Sequence, residues 1–338
     1  MKALVYTAPH RIEFTDQATP TPGPGEVLLK VAAVGICGSD MHAYHGFDER
    51  RPPPLVLGHE AAGTVMTGVH EGRLAALNPL VTCGACPQCR AGRQHLCPTR
   101  QIISMPPRPG AFAEFVSVPE SNIVLLPAGA DLAKAALAEP IAVAWHAVRI
   151  GTERLDRPLA AVRTLVLGAG GIGLAVALVL RHFGAQDIWL AEPNVLRQET
   201  ARQAGPFQVY APGTDAEPGP GSVGLVIDAV GAEATRAAAC RLVAPGGVIV
   251  HVGLLPGSQG LDVRRITLQE ITLVGCYCYT PGDFDDVVAA LMASRLGTLG
   301  WVEERGLAEG PAAFRAIDQG AIAAAKIVLR RKPTNRGL

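Results

Sequence analysis

Two short stretches of this chain set potential metal-binding groups close together. Gly58-His59-Glu60-Ala61-Ala62-Gly63 places an imidazole beside a carboxylate among small residues, and Gly35-Ile36-Cys37-Gly38-Ser39-Asp40 offers a thiol upstream. A third stretch, Ala138-Glu139-Pro140, adds a second carboxylate. Thiolate, imidazole and carboxylate are the S, N and O donors of tetrahedral zinc, and a catalytic zinc takes three protein ligands and keeps one position open. Taken one at a time, a buried cysteine or a hydrogen-bonded histidine is the commoner reading. The glycine-flanked spacing of the set, together with the two motifs that follow, favours a metal.

The first of these is Cys83-x-x-Cys86-x-x-Cys89-x7-Cys97. Four thiolates at such separations match a closed structural zinc site with no open position. An iron–sulfur cluster is the weaker alternative, because nothing else in the chain points to electron transfer. The second is Gly168-Ala169-Gly170-Gly171-Ile172-Gly173, which follows the apolar run Arg163–Leu167 and leads into a helix expected over Leu174–Phe183. Strand before and helix after are the context that makes Gly-x-Gly-x-x-Gly a dinucleotide fingerprint. Gly168 would make the tight turn, Gly170 would let a pyrophosphate approach, and Gly173 would pack helix on strand; the helix N-terminus would then favour the phosphate charge. The strand Asp187–Ala191 ends at Glu192, 19 positions after Gly173. A carboxylate there bonds ribose hydroxyls and repels a 2′-phosphate, which favours NAD over NADP. Arg197, five positions further on, is a cation that tolerates such a phosphate.

Gly-His-Glu-x-x-Gly after Gly-x-Cys-Gly-Ser-Asp resembles the zinc-containing alcohol and polyol dehydrogenases of the medium-chain dehydrogenase/reductase superfamily, and the resemblance runs from Met1 to Leu329. It implies an α/β chain: a GroES-like β-barrel catalytic domain joined to a doubly wound, parallel-sheet Rossmann coenzyme domain. Residues 1–142 and 271–338 would form the first, with a structural zinc lobe at 80–100, and residues 143–270 the second. It also implies two zinc ions per chain, NAD as coenzyme, and a homodimer or homotetramer. In the resembling enzymes a hydroxyl at the position of Ser39 bonds the substrate oxygen, and a histidine at the position of His42 passes the proton to solvent.

The neighbourhood Glu139-Pro140-Ile141-Ala142-Val143-Ala144-Trp145-His146 is similar to the sorbitol dehydrogenase branch, where glutamate stands in place of a cysteine ligand. Carboxylate oxygen is a harder donor than thiolate, and such a site expands its coordination readily enough for a vicinal diol. Two alternatives stay open: Ser39 as the cap of the following helix, and Glu139 as a helix cap ahead of Pro140. Whether Glu60 or Glu139 holds the metal at rest is also open. Within Val274–Tyr279, expected as a strand, Cys278 falls where sorbitol dehydrogenases carry a polyol-orienting arginine, with Tyr279 retained and no cation nearby in sequence. The activity implied is hydride transfer from a secondary alcohol, a polyol or sugar alcohol, to NAD. The alternatives are a threonine-dehydrogenase-like oxidation of an amino alcohol, or a dinucleotide-binding protein without turnover.

The elements that must position these groups are legible in outline. A length of 338 residues suggests about two domains, and 49% hydrophobic against 18% charged residues allows a sizeable core. Val- and Leu-rich runs at 2–6, 26–36, 61–66 and 113–118, broken by Thr19-Pro20-Thr21-Pro22-Gly23-Pro24-Gly25, read as a small barrel. Runs at 223–230, ending in Asp228, and 247–252, ending before Gly253 and Leu254, fit a parallel sheet whose carboxyl ends line a coenzyme crevice. The run 326–329 would return to the first domain. Zero net charge without a Lys/Arg run argues against nucleic acid and anionic membranes. The N-terminus lacks a signal-peptide core, and the longest apolar segment, 171–180, is about half a membrane span. A soluble cytoplasmic protein acting on a small molecule is expected.

Overall fold

The computed structural model describes residues 1–214 and 216–331; the last seven residues of the expected return segment, 332–338, lie outside them. Alternating apolar strands build the first unit. Glu26–Gly35 buries every second side chain and is the hub of a seven-stranded sheet, pairing with Glu60–Val65, Phe115–Pro119 and Lys326–Arg330. A three-stranded sheet, including the strand Arg11–Asp16 that sequence patterning did not mark, covers one side. Leu4, Leu29, Val65, Phe112 and Phe314 fill the interior between them. The segment Leu74–Leu77 supplies a strand between Glu60–Val65 and Ile123–Leu125.

The second unit is a six-stranded parallel sheet, ordered 3-2-1-4-5-6 when its strands are counted along the chain. Its central strands Arg163–Leu167 and Val223–Asp228, and the stretch 248–250 of Val243–His251, are nearly continuous buried apolar runs because helices cover both faces. The sixth strand is Thr272–Gly275, paired parallel with Val243–His251. The sheet thus runs past the boundary expected at 270, and the strand expected to reach Tyr279 stops at Gly275. There the chain turns out of the sheet, with Cys278 in the left-handed region at φ 48°. The helix Ala138–Thr152 straddles the expected 142/143 boundary. It packs on the helix Gly171–His182 and, through Ala144, Ala147 and Val148, joins the cores of both units into one cluster. Among the described residues no helix is long and apolar enough to cross a membrane.

Candidate active site

Pairing of the strands Glu26–Gly35 and Glu60–Val65 sets Gly35 opposite Glu60. Cys37 lies just past the end of one strand and His59 just before the start of the other. Donor atoms of Cys37, His59 and Glu60 consequently lie within 4.8 Å of one another. Only glycine fits at position 35, since a Cβ there would sit 2.0 Å from Glu60 Oε2.

Asp40, which sequence reasoning gave no role, pins this arrangement. Its buried carboxylate accepts from the Cys37 N–H (2.9 Å) and the Gly58 N–H (3.3 Å) and stands 3.6 Å from His59 Nδ1. A carboxylate behind an imidazole is the usual way of orienting a histidine ligand. Burial works against a charged His59, but Asp40, together with Cys37, raises its pKa well above the ordinary value.

The two glutamates have different partners. Glu60 is fully buried and receives the Lys326 ammonium on both oxygens, at 2.6 and 2.8 Å, while Lys326 also donates to the Ile36 carbonyl at 3.1 Å. Glu139 is the second residue of the helix Ala138–Thr152. Burial pushes its carboxyl up to about 7, and the Tyr279 hydroxyl donates to its Oε1 at 3.2 Å. The helix-cap readings both fail. The residue preceding the helix Gly38–Tyr44 is Cys37, whereas Ser39 lies inside that helix with Oγ 3.4 Å from His59 Nε2. Leu137, not Glu139, holds the N-cap position of the helix Ala138–Thr152, and no side-chain hydrogen bond caps that helix.

Cys37, Ser39, His42, His59 and Glu139 line a cavity of about 230 Å³; Glu60 is not on its wall. Among the described residues no basic side chain bonds Cys37, His59 or Glu139, whereas Lys326 satisfies Glu60. The thiol, imidazole and carboxyl on this wall are donor types of a zinc with an open position, although the carboxylate within 4.8 Å of both the Cys37 and His59 donors is that of Glu60. Cys276, Tyr277 and Cys278 close another part of the wall. Cations that sequence comparison at Cys278 did not find reach this wall from a different loop: Arg50 and Arg51 line the same cavity. Asp48 accepts from Arg50 Nε (2.8 Å) and Nη2 (3.0 Å) and from Arg51 Nη1 (2.5 Å).

A larger cavity of about 700 Å³ adjoins the first, sharing Cys37, Gly38, His42, Ile172, Ala229 and Val230 with it. Its floor is the glycine turn. Gly168 has φ 91°, and a Cβ on Gly173 would fall 1.8 Å from the Gly168 carbonyl oxygen. Gly170 opens onto empty space, a cradle that any side chain would fill. Glu192 and Arg197 reach this cavity, together with Gly171, Ile172 and Lys326. The Glu192 carboxylate accepts from the Ala169 and Asn194 N–H groups, both at 2.9 Å, so it also braces the turn. These features fit a dinucleotide. Gly253 and Leu254 lie on the smaller cavity instead, and Asp228 lines neither. The Asp228 carboxylate turns inward to the Val230 and Gly231 N–H groups and the Thr235 hydroxyl, holding the loop that carries Ala229 and Val230 to the cavity.

Cys83, Cys86, Cys89 and Cys97 form a separate four-sulfur cluster between the paired strands Leu80–Val81 and Gln101–Ile102. Backbone N–H groups of Cys86 and Cys89 point at the sulfurs of Cys83 and Cys86, at 3.4 and 3.5 Å. All eight cysteines are free. Four converging thiols with N–H support fit a closed zinc site.

Residues 23–128 match the family model of the alcohol dehydrogenase GroES-like domain, and residues 171–294 match that of the zinc-binding dehydrogenases. L-galactonate-5-dehydrogenase of Escherichia coli K12 is 33% identical, over 85% of this chain and 86% of that protein. L-threonine 3-dehydrogenase of Pyrococcus horikoshii is 32% identical, over 81% and 82%. Among solved structures, a zinc-binding dehydrogenase of Sinorhizobium meliloti bound to NADP superposes with a TM-score of 0.88 at 28% identity, covering 97% of this chain and 98% of that one. The chain belongs to the zinc-binding dehydrogenase family, with a GroES-like alcohol dehydrogenase domain joined to a Rossmann-type one.

Proposed function

We propose that this protein is a zinc-dependent oxidoreductase that takes hydride from a secondary hydroxyl of a small polyol or sugar-derived alcohol and gives it to NAD. The observation that carries this reading is the meeting of the cavity walled by Cys37, His59 and Glu139 with the glycine-turn cavity at Cys37, His42 and Ile172. Cys37, His59 and Glu139 would hold the catalytic zinc, with Glu60 kept behind them by Lys326, and the four clustered cysteines would hold a structural one. When bound, the zinc lowers the pKa of a hydroxyl it meets and NAD accepts the hydride.

The chain's own groups do the remaining work. Ser39, beside His59 on the cavity wall, would hydrogen-bond the substrate hydroxyl and relay its proton, giving up its own hydroxyl proton as it takes the substrate's. His42 borders both cavities, and burial lowers its pKa, so the neutral ring is free to take a proton onward to solvent. Tyr279 and Asp40 hold Glu139 and His59 in place. Gly168, Gly170, Gly171, Ile172 and Gly173 would seat the pyrophosphate, with Lys326 adding positive charge next to Gly171. Glu192 and Arg197 would face the adenosine ribose.

Steady-state NAD reduction across polyols, sugar acids, threonine and simple alcohols tests the proposal; no turnover with any of them would refute it. The threonine dehydrogenase relative supports an amino-alcohol substrate as a second reading, which the same panel decides. Against it stands the excess of arginine on the cavity wall, which repels an ammonium. We further read residues 1–142 with the segment after Gly275 as the catalytic unit, 143–275 as the coenzyme unit, and the enzyme as a cytoplasmic homodimer or homotetramer, which analytical ultracentrifugation would measure.

A further inference from the structure

We infer that the substrate carries an acidic group, a carboxylate in the first instance, and that Arg50 reads it. The inference rests on the oxidoreductase reading above and narrows its substrate class to polyhydroxy acids. Apart from the groups assigned to zinc and proton transfer, the formally charged side chains on the wall of the 230 Å³ cavity are Arg50 and Arg51. Both guanidinium groups share a single counter-ion, Asp48, so two positive charges against one negative leave an excess of one. Arg51 is buried and spent, with Nε on the Ser104 carbonyl at 3.1 Å and Nη1 on Asp48. Arg50 is different. Its side chain is 56% exposed, and Asp48 engages Nε and Nη2 but leaves Nη1 free.

Asp48, itself only 7% exposed, holds the guanidinium plane fixed and leaves that free edge able to meet a ligand. Guanidinium is the side chain best suited to a planar carboxylate. The volume admits one small molecule, so an acid whose secondary hydroxyl faces Cys37, His59 and Glu139 shares the same cavity with Arg50. Cys278 leaves space where a bulkier cation would otherwise reach the polyol, and Arg50 supplies the charge from the loop before Gly58. Oxidation then follows the proposed reaction: the carbinol hydrogen leaves with its electron pair to NAD+, giving NADH. The hydroxyl proton goes to solvent, and the product is the keto acid with its carboxylate unchanged.

The test compares a hexonate with the hexitol of matching configuration, using zinc-loaded enzyme and NAD. Wild type should favour the hexonate in kcat/KM by at least tenfold, and Arg50→Gln should collapse that ratio toward one, chiefly through KM. Arg50→Lys, which keeps charge but loses the fork, should fall between. Titration calorimetry of hexonate into the enzyme–NADH complex should show the same loss of affinity in Arg50→Gln, with unaltered zinc content and melting temperature verifying its fold. Turnover of hexitol and hexonate at equal kcat/KM in the wild type, or an unchanged ratio in Arg50→Gln, would overturn the inference while leaving the oxidoreductase reading intact. Failure of every alcohol in the wider panel would overturn the oxidoreductase reading itself, and this inference with it.

Discussion

Lys326→Met should expose how much of the architecture depends on one buried ion pair. Lys326 is 5% exposed and Glu60 fully buried, and Lys326 is the only side chain among the described residues that hydrogen-bonds the Glu60 carboxylate. Removing the ammonium strands a carboxylate with no route to water. Breaking a buried pair in this way costs about 3–5 kcal/mol, mostly the penalty of the charge left behind. At about 2 °C per kcal/mol, the low end of the range and suited to a large chain, calorimetry of the zinc-loaded, coenzyme-free protein at neutral pH should show melting lowered by roughly 6–10 °C.

The companion variant Glu60→Met/Lys326→Met removes both charges, and replacing both partners by apolar groups is close to neutral. Most of the lost stability should return. Coenzyme affinity should not, because Lys326 also borders the larger cavity, where a Cβ on Gly171 would be 3.0 Å from its Cε. NADH titration by fluorescence should therefore give a weaker Kd for the single and double variants alike. A single variant that melts within about 2 °C of wild type, equivalent to less than about 1 kcal/mol, would refute the argument. So would a double variant as unstable as the single one.

The remaining predictions concern the metal, the proton and the coenzyme. Metal analysis should return two zinc ions per chain in the wild type and about one in Glu139→Ala and His59→Ala, with the cysteine cluster still loaded; full zinc content in Glu139→Ala would refute its role as ligand. Because burial holds the metal-free Glu139 near pKa 7, zinc must displace its proton increasingly as pH falls below that value, and calorimetry in buffers of different ionisation enthalpy should find fewer protons released on zinc binding at pH 6 in Glu139→Ala than in wild type. His42 stays neutral to a pH below the ordinary 6.5, so wild-type kcat should hold until pH drops through that lowered value, and His42→Ala should lower kcat and remove this limb of the profile. Glu192→Ala should narrow the preference for NAD over NADP and weaken both, since its carboxylate also braces Ala169 and Asn194; kcat/KM with NADP equal to or above that with NAD in the wild type would show that Arg197 dominates.

What was legible in the sequence, and what was not, follows from how far each effect reaches along the chain. Strand Asp187–Ala191 and the glycine turn are local: apolar periodicity and φ > 0 at Gly168 act within a few residues, and both stand where patterning put them. The meeting of Cys37 with His59 and the clustering of the four cysteines were legible because metal-ligand chemistry restricts residue type and spacing. The roles of the two carboxylates were not. Only the pairing of Lys326–Arg330 with Glu26–Gly35 carries an ammonium across 266 positions to Glu60, and only the turn after Gly275 swings Tyr279 onto Glu139. Asp228 was misjudged for a related reason. Its place at the carboxyl end of a central strand suggested a ligand, but the loop that follows needed its backbone N–H groups satisfied, and its carboxylate turned inward to satisfy them.

The missing cation beside Cys278 shows the same limit most sharply. A position-by-position comparison along the strand finds cysteine and infers that the charge is lost. Specificity, however, depends on which side chains share a cavity, and any loop reaching that cavity can supply the charge. Arg50 comes from the segment between the helix Gly38–Tyr44 and the strand beginning at Glu60, and is held there by Asp48, a residue with no motif of its own. Zinc ligands must arrive at fixed distances from one atom, so their positions are constrained and readable. A guanidinium that meets a flexible substrate has many acceptable origins, and its function becomes visible only once the fold has closed the cavity around it.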